Sequence, residues 1–163
     1  MRRLPVGIIW SILLFFSCSF SSCIKQDPYP NGSGLFRCKV DGEVFIPKSD
    51  DWKSTAKQAS IVDDTLVISG VYNIGDEWES VGVRVGNFSG VGAYQLFDRE
   101  GNYGRYSLSQ VNAYTDASHN GELVVTHYIP ERRIVSGTFH FTAYHLHTGK
   151  TFQITEGRFD MGY

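Results

Sequence analysis

The stretch IVSGTFHFTAYHL, residues 134–146, indicates the fold class more clearly than any other part of the chain. Phe139, Phe141 and Ala143 alternate within it with polar side chains, so apolar and polar groups fall on opposite faces of an extended strand. A second extended stretch, residues 122–129, precedes it, and only the four residues PERR separate the two. The pattern predicts a long β-hairpin with one buried face.

The same two-residue period continues outward in both directions. In FRCKV, residues 36–40, apolar and cationic side chains alternate, and the following pair Asp41-Gly42 predicts a tight turn. A further hairpin is expected where Asp63-Asp64 separates residues 58–62 from residues 65–72. Turn signals recur every 8–12 residues or so, which is typical of a sandwich or barrel of roughly eight to ten strands. We therefore predict an all-β fold, either a single antiparallel β-sandwich or a flattened β-barrel.

One irregularity is expected near the C-terminal end of the chain. Phe152 and Ile154 share a face, but Phe159 has the wrong parity to join them on a regular strand. Gly157 lies between the two sets, and a glycine in a strand is typical of a bulge. We expect a bulge there to reset the register.

The first residues of the chain have the pattern of a bacterial secretory signal. Arg2 and Arg3 precede the apolar run of residues 6–16, VGIIWSILLFF, which is too short to span a bilayer. Small residues follow and lead to Cys23, and this stretch resembles a lipoprotein signal in which a cysteine thiol takes a diacylglyceryl group and the new N-terminus takes an acyl chain such as palmitate. Cys18 is the rival position, but a phenylalanine lies two residues before it.

The signal divides the chain into three parts. We expect a signal peptide at residues 1–22, a flexible tether at residues 23–34 that is rich in Pro, Asn, Gly and Ser, and an antiparallel β domain at residues 35–163. After cleavage and acylation Cys38 is the only thiol left, so a disulfide framework is excluded within one mature chain. Cys38 shares a face with apolar neighbours and is expected to be buried.

Composition limits the classes of function. Apolar residues make up 42% and charged residues 20%, which is typical of a folded globular domain. The formal net charge is −2, so electrostatics gives no reason to expect nucleic acid as a partner. The membrane is the expected partner, reached through the N-terminal lipid.

Three stretches together resemble a known family: Val40-Asp41-Gly42, SGTFHFTA at residues 136–143, and ITEGRFD at residues 154–160. Behind a lipoprotein signal they resemble a family of small uncharacterised lipoproteins of Bacteroidetes-type bacteria. The resemblance implies a β fold and a location in the cell envelope. It implies no catalytic residues, because the family has no established activity.

Candidate site residues are few. Trp52, Trp78 and Tyr103 are predicted to lie in or near loops, together with Tyr94 and Tyr106, where exposed rings can stack on sugars or anchor a protein partner. These residue types also favour strands and core edges, so a structural role is the alternative.

Two histidines are weak candidates for a metal site. His145 and His147 are two residues apart, a spacing that places both imidazoles on one face of a strand about 7 Å apart. They also lie beside a Thr-Gly turn, where exposed polar residues are common. No cofactor is therefore expected.

The sequence favours a lipid-anchored envelope protein that binds rather than catalyses. The expected location is the outer membrane, the expected ligand is a glycan or another envelope protein, and no enzymatic motif is present. A structural or accessory role without a ligand pocket is one alternative. A metal-assisted hydrolase that uses His145 and His147 is the other.

Overall fold

The computed structural model describes residues 30–50 and 55–163, and the predictions made for Cys23 and Trp52 lie outside these residues. The described residues form twelve β-strands and one short 3-10 helix, and they contain no α-helix. The strands are β1 (Ser33–Val40), β2 (Glu43–Phe45), β3 (Lys48–Ser49), β4 (Lys57–Val62), β5 (Thr65–Ile74), β6 (Glu77–Val85), β7 (Gly92–Leu96), β8 (Tyr103–Leu108), β9 (Val111–Tyr114), β10 (Gly121–Ile129), β11 (Ile134–His145) and β12 (Lys150–Gly162). The 3-10 helix, Pro130–Arg132, connects β10 to β11. The prediction of an all-β fold is confirmed.

All twelve strands belong to one sheet, which is not closed into a barrel. The order β2–β1–β12–β11 forms one arm, and two branches continue from the far edge of β11. β10 pairs along the first part of β11 and carries β7 on its other side, whereas β9 meets β11 at Tyr144 and leads through β8 and β6 to β5. The sheet is mixed rather than purely antiparallel, because β3 runs parallel to β5.

The predicted turns form where the sequence places them. Asp41 and Gly42 both have positive φ, 50° and 91°, and they join β1 to β2. Asp63 and Asp64 have φ of 46° and 56° and join β4 to β5. Two successive residues of positive φ are the conformation of the type I′ turn, whose twist matches that of the flanking strands.

The branches curl so that their apolar faces enclose one core. Tyr106 on β8 packs against Phe152 on β12, with ring centroids 4.5 Å apart. Gly104, also on β8, lies against Phe141 on β11, where an added Cβ would come within 2.5 Å of the ring. Gly70 on β5 lies against Phe36 on β1, where an added Cβ would come within 2.7 Å of the ring, so strands from opposite ends of the sheet order face each other as the layers of a sandwich do. Cys38 is buried in this core as expected.

The expected bulge in β12 is present. Arg37 pairs with Arg158, but Lys39 pairs with Thr155, so β12 has one extra residue between these two pairs. Glu156 has φ of 53°, and an added Cβ on Gly157 would lie 2.5 Å from the carbonyl oxygen of the neighbouring β11 strand. The extra residue lets both apolar sets of β12 face the core.

The N-terminal boundary differs from the prediction. β1 begins at Ser33, two residues before the expected start of the β domain, and Pro30 is already buried. The Asp160 carboxylate accepts hydrogen bonds from the backbone N–H groups of Asn31, Gly32 and Ser33, at 3.0–3.3 Å. The last residues of the predicted tether are therefore bound to the domain.

Candidate functional site

Three tyrosines from different strands come together on the outer face of the sheet. Tyr114 on β9 lies directly opposite Tyr144 on β11, and the ring of Tyr103 on β8 meets that of Tyr114 edge to face at 5.8 Å. Their sequence neighbours Gly104, Ala113 and Ala143 are buried in the core, so the three rings point outward. We call Tyr103, Tyr114 and Tyr144 the tyrosine surface.

These tyrosines differ from the others that the structure describes. Tyr72, Tyr94, Tyr128 and Tyr163 are partly buried because they pack against the core, and Tyr106 belongs to the core itself. The three rings of the tyrosine surface are half-buried without packing against that core. Apolar packing of the interior therefore does not account for their position.

Neighbouring cationic and imidazole groups shape the tyrosine surface. The Arg99 guanidinium lies over the Tyr114 ring, 4.0 Å from its centroid, which is favourable because the face of an aromatic ring carries negative charge. The His119 imidazole stacks on Tyr144 at 4.5 Å, with an angle of 4° between the two planes. Each group orients a ring and adds a polar edge to the surface.

Asp116 fixes the position of His119. Its Oδ1 accepts a hydrogen bond from the His119 backbone N–H at 2.7 Å and lies 3.0 Å from Nδ1 of the ring. Desolvation opposes the charge of this carboxyl, but the hydrogen bonds from His119 and Ser118 outweigh it, so the pKa of Asp116 lies below its usual range. The imidazole against Tyr144 therefore has an ionised carboxylate beside it.

A concave site of about 440 Å³ opens beside two of these tyrosines. Arg99, Tyr114 and Tyr144 line it, together with His145 and His147 at the end of β11. The two histidine rings are 5.7 Å apart between centroids, and Nδ1 of His145 lies 2.7 Å from the Thr148 hydroxyl. Within residues 30–50 and 55–163 no group of three His, Cys, Asp or Glu side chains is placed to hold a metal ion.

The aromatic residues predicted to bind a ligand do not all meet. Tyr103 begins β8 and belongs to the tyrosine surface. Trp78 lies on β6, six residues before Arg84, and Arg84 is the cross-strand partner of Tyr103. Six residues of strand extend about 20 Å, so Trp78 lies far from Tyr103. Tyr106 lies within β8 and is only 4% exposed, so the expectation that its ring is exposed for binding was wrong.

A small polar group lies at one end of the core. Burial raises the pKa of Glu79, and a hydrogen bond with Tyr106 opposes this rise in part. Burial, and to a smaller extent the nearby charge of Glu79, raises the pKa of the Cys38 thiol to about 12. A thiol with such a pKa is a poor nucleophile at neutral pH, which supports the structural reading of Cys38.

Sequence reasoning missed Arg99, Tyr114 and Tyr144. Tyr114 and Tyr144 each alternate with a buried alanine on a predicted strand, and this local pattern marks them as outward-facing. The pairing of β9 with β11 places them side by side, and no local pattern predicts that pairing.

The fold and the surface define the class of this protein: an all-β domain on one open mixed sheet, with tyrosines grouped outside its core. The chain belongs to the family described as Domain of unknown function (DUF6252), whose model matches residues 36–161. Neither a curated protein nor a solved structure matches the chain. In the part of the chain that the structure describes, no helix is long and apolar enough to cross a membrane.

Proposed function

We propose that this protein is a lipid-anchored binding module of the bacterial cell envelope and that the tyrosine surface takes a glycan. The observation that carries the proposal is the placement of three tyrosine rings, half-exposed and away from the core, beside a concave site of about 440 Å³. Aromatic faces attract the positively polarised C–H groups of a sugar ring, and nearby polar groups bind its hydroxyls. Arg99, His145 and His147 supply such polar groups at the same place.

The binding role is non-enzymatic in this proposal. The tyrosine rings supply contact area. The Arg99 guanidinium donates hydrogen bonds but cannot act as a base, because it stays protonated. Glu156 and Asp160, the two carboxyls of β12, are both engaged elsewhere: Glu156 pairs with Lys39, and Asp160 binds Ser136 and the N-terminal segment. Recognition of a sugar surface is therefore the function that the tyrosine surface supports best.

Binding is tested by calorimetry with neutral oligosaccharides built from glucose and from N-acetylglucosamine. We expect saturable binding by the wild type, and a dissociation constant about fivefold higher for Tyr144→Ala, because one aromatic contact is worth about 1 kcal/mol. Trp78→Ala is the matched aromatic control and should bind as the wild type does. Binding that is lost in Trp78→Ala and kept in Tyr144→Ala would place the ligand elsewhere. No binding across the panel would favour a structural or accessory role.

The lipid anchor rests on the sequence pattern that ends at Cys23 and needs its own experiment. Intact-mass analysis of protein from bacterial membranes should show a chain that begins at Cys23 and carries the mass of three acyl chains. A Cys23→Ser variant should lose that mass. Equal, unlipidated masses for both proteins would refute the anchor and leave the glycan proposal standing.

A further inference from the structure

A second concave site lies on the outer face of β1, β12 and β11, and its nearest lining residue on β11, His140, is four residues from Tyr144. Its volume is about 800 Å³. The outward side chains that line it are mostly cationic or polar: Arg37, Lys39, Thr138, His140, Glu156 and Arg158. We call this site the basic groove.

Two arginines face each other across neighbouring strands in the basic groove. Arg37 on β1 and Arg158 on β12 are direct partners in the antiparallel register, and Thr138 on β11 is the next partner in the same row. Side chains that are direct cross-strand partners lie about 5 Å apart at their Cβ atoms, and like charges in that position destabilise a sheet. Folding alone gives no reason to place two guanidinium groups there.

No described residue neutralises either arginine. Arg37 and Arg158 make no hydrogen bond or ion pair within the described residues, whereas Arg84 and Arg105, the other strand arginines, both donate to oxygen acceptors. Among the residues that the structure describes, Glu156 is the only acid that lines the groove. It lies in the bulge of β12 and binds Lys39, with Nζ 2.7 Å from Oε1.

The next acid along β12 is also occupied. Asp160 lies two residues from Arg158 on the same face, but its carboxylate accepts hydrogen bonds from the N–H groups of residues 31–33 and from Ser136. The arginine pair therefore carries two positive charges with no anionic partner among the described residues.

The arrangement selects the chemistry of a ligand. One carboxylate is satisfied by the fork of a single guanidinium, whereas a tetrahedral phosphate or sulfate group has enough oxygens to accept from two forks at once. Thr138 and His140 line the same groove and can hydrogen-bond further oxygens. We propose that Arg37 and Arg158 form a binding site for a phosphate or sulfate group.

The full-length chain in non-ionic detergent is titrated with inorganic phosphate, inorganic sulfate and glycerol 3-phosphate, at an ionic strength held constant with chloride. We expect saturable binding in calorimetry and a rise in Tm on addition of the anion. Arg158→Gln should weaken binding at least tenfold, and Arg37→Gln/Arg158→Gln should abolish it. Arg132→Gln is the matched control, because Arg132 is exposed in the 3-10 helix outside the groove, and it should bind as the wild type does.

Two further arms separate the possible sources of the anion. Mixed micelles that contain phosphatidylglycerol present a lipid headgroup, and micelles with phosphatidylcholine are their zwitterionic control. Binding of soluble phosphate with no preference between the micelles indicates a soluble ligand, and a preference for phosphatidylglycerol that Arg158→Gln removes indicates a headgroup. No saturable binding in any arm, or an equal loss in Arg132→Gln, would overturn the proposal. Because the tyrosine surface is untouched in these variants, failure here leaves the glycan proposal unaffected.

Discussion

Replacement of Asp160 by asparagine tests whether one carboxylate fastens the N-terminal segment to the domain. Oδ1 accepts hydrogen bonds from the Gly32 N–H at 3.0 Å and from the Ser136 hydroxyl at 2.7 Å. Oδ2 accepts from the Asn31 N–H and from both the N–H and the hydroxyl of Ser33. An asparagine has one acceptor oxygen, so Asp160→Asn must lose one of these two sets.

The expected loss of stability follows from this count. The smaller set contains two hydrogen bonds, and a net value of about 1 kcal/mol for each partly exposed bond gives about 2 kcal/mol. Bonds to a fully buried charge would be worth more, but the bonds from Gly32 and Ser136 are only partly buried, which reduces the gain. The remaining set is also weakened, because the charge of its acceptor is gone.

The effect depends on pH with a defined sign. Burial opposes the charge of Asp160, but the hydrogen bonds from Ser136 and from residues 31–33 outweigh it and hold the pKa of the carboxyl below its usual range. A depressed folded-state pKa contributes stability that is complete above the unfolded pKa of about 3.9 and is lost as the pH falls through the folded pKa. The difference between wild type and variant should therefore be largest near pH 7 and should shrink below about pH 4.

Urea unfolding at pH 7 and at pH 3 measures both quantities, and amide exchange of Gly32 and Ser33 reports the local release. Asp63→Asn is the matched control, because Asp63 lies in an exposed turn with φ of 46°, which asparagine also tolerates. We expect the control to change stability by less than about 0.5 kcal/mol. Equal stability of Asp160→Asn and wild type at pH 7, or an equal difference at both pH values, would refute the reasoning.

Three further predictions concern the core. Gly104→Ala should cost about 1–3 kcal/mol in urea unfolding, because the added Cβ would lie 2.5 Å from the Phe141 ring, and an unchanged midpoint would contradict this packing. With the other two cysteines replaced by serine, Cys38 should react with a thiol reagent only in urea, because burial raises its pKa to about 12; fast labelling in buffer would disprove its burial. Glu79→Gln should stabilise the protein at pH 8 and not at pH 4 in the same unfolding assay. Burial raises the pKa of this carboxyl, so the wild-type protein loses folding free energy as the pH rises through that pKa and the side chain becomes charged. A variant less stable than wild type at pH 8 would show that the charge is needed.

Local structure could be predicted where neighbouring residues determine it. The two-residue period and the acidic turn residues gave the β1–β2 and β4–β5 hairpins, because both signals act within a few residues. The bulge at Gly157 was also predicted, from the parity of Phe152 and Phe159 alone. In each case the apolar pattern is satisfied by only one local geometry.

The partners of each strand could not be predicted in the same way. β12 lies between β1 and β11, and both β10 and β9 pair with the other edge of β11. The two-residue period of the sequence is compatible with many other strand orders. The tyrosine surface depends on the pairing of Tyr114 with Tyr144, and the basic groove on the pairing of Arg37 with Arg158. Both surfaces depend on the pairing of strands that are far apart in the sequence. The sequence alone therefore predicts their residues only as separate outward-facing side chains.

The bulge of β12 explains why the core and the basic groove occur together. Without the extra residue, the register from Arg158 would continue regularly, and Phe152 and Ile154 would point away from the core that holds Phe159. Burial of both apolar sets therefore requires the bulge, and the bulge places Glu156 at positive φ, where its carboxylate binds Lys39. That ion pair occupies the one acid among the described residues that lines the groove, and it leaves Arg37 and Arg158 without an anionic partner in this part of the chain.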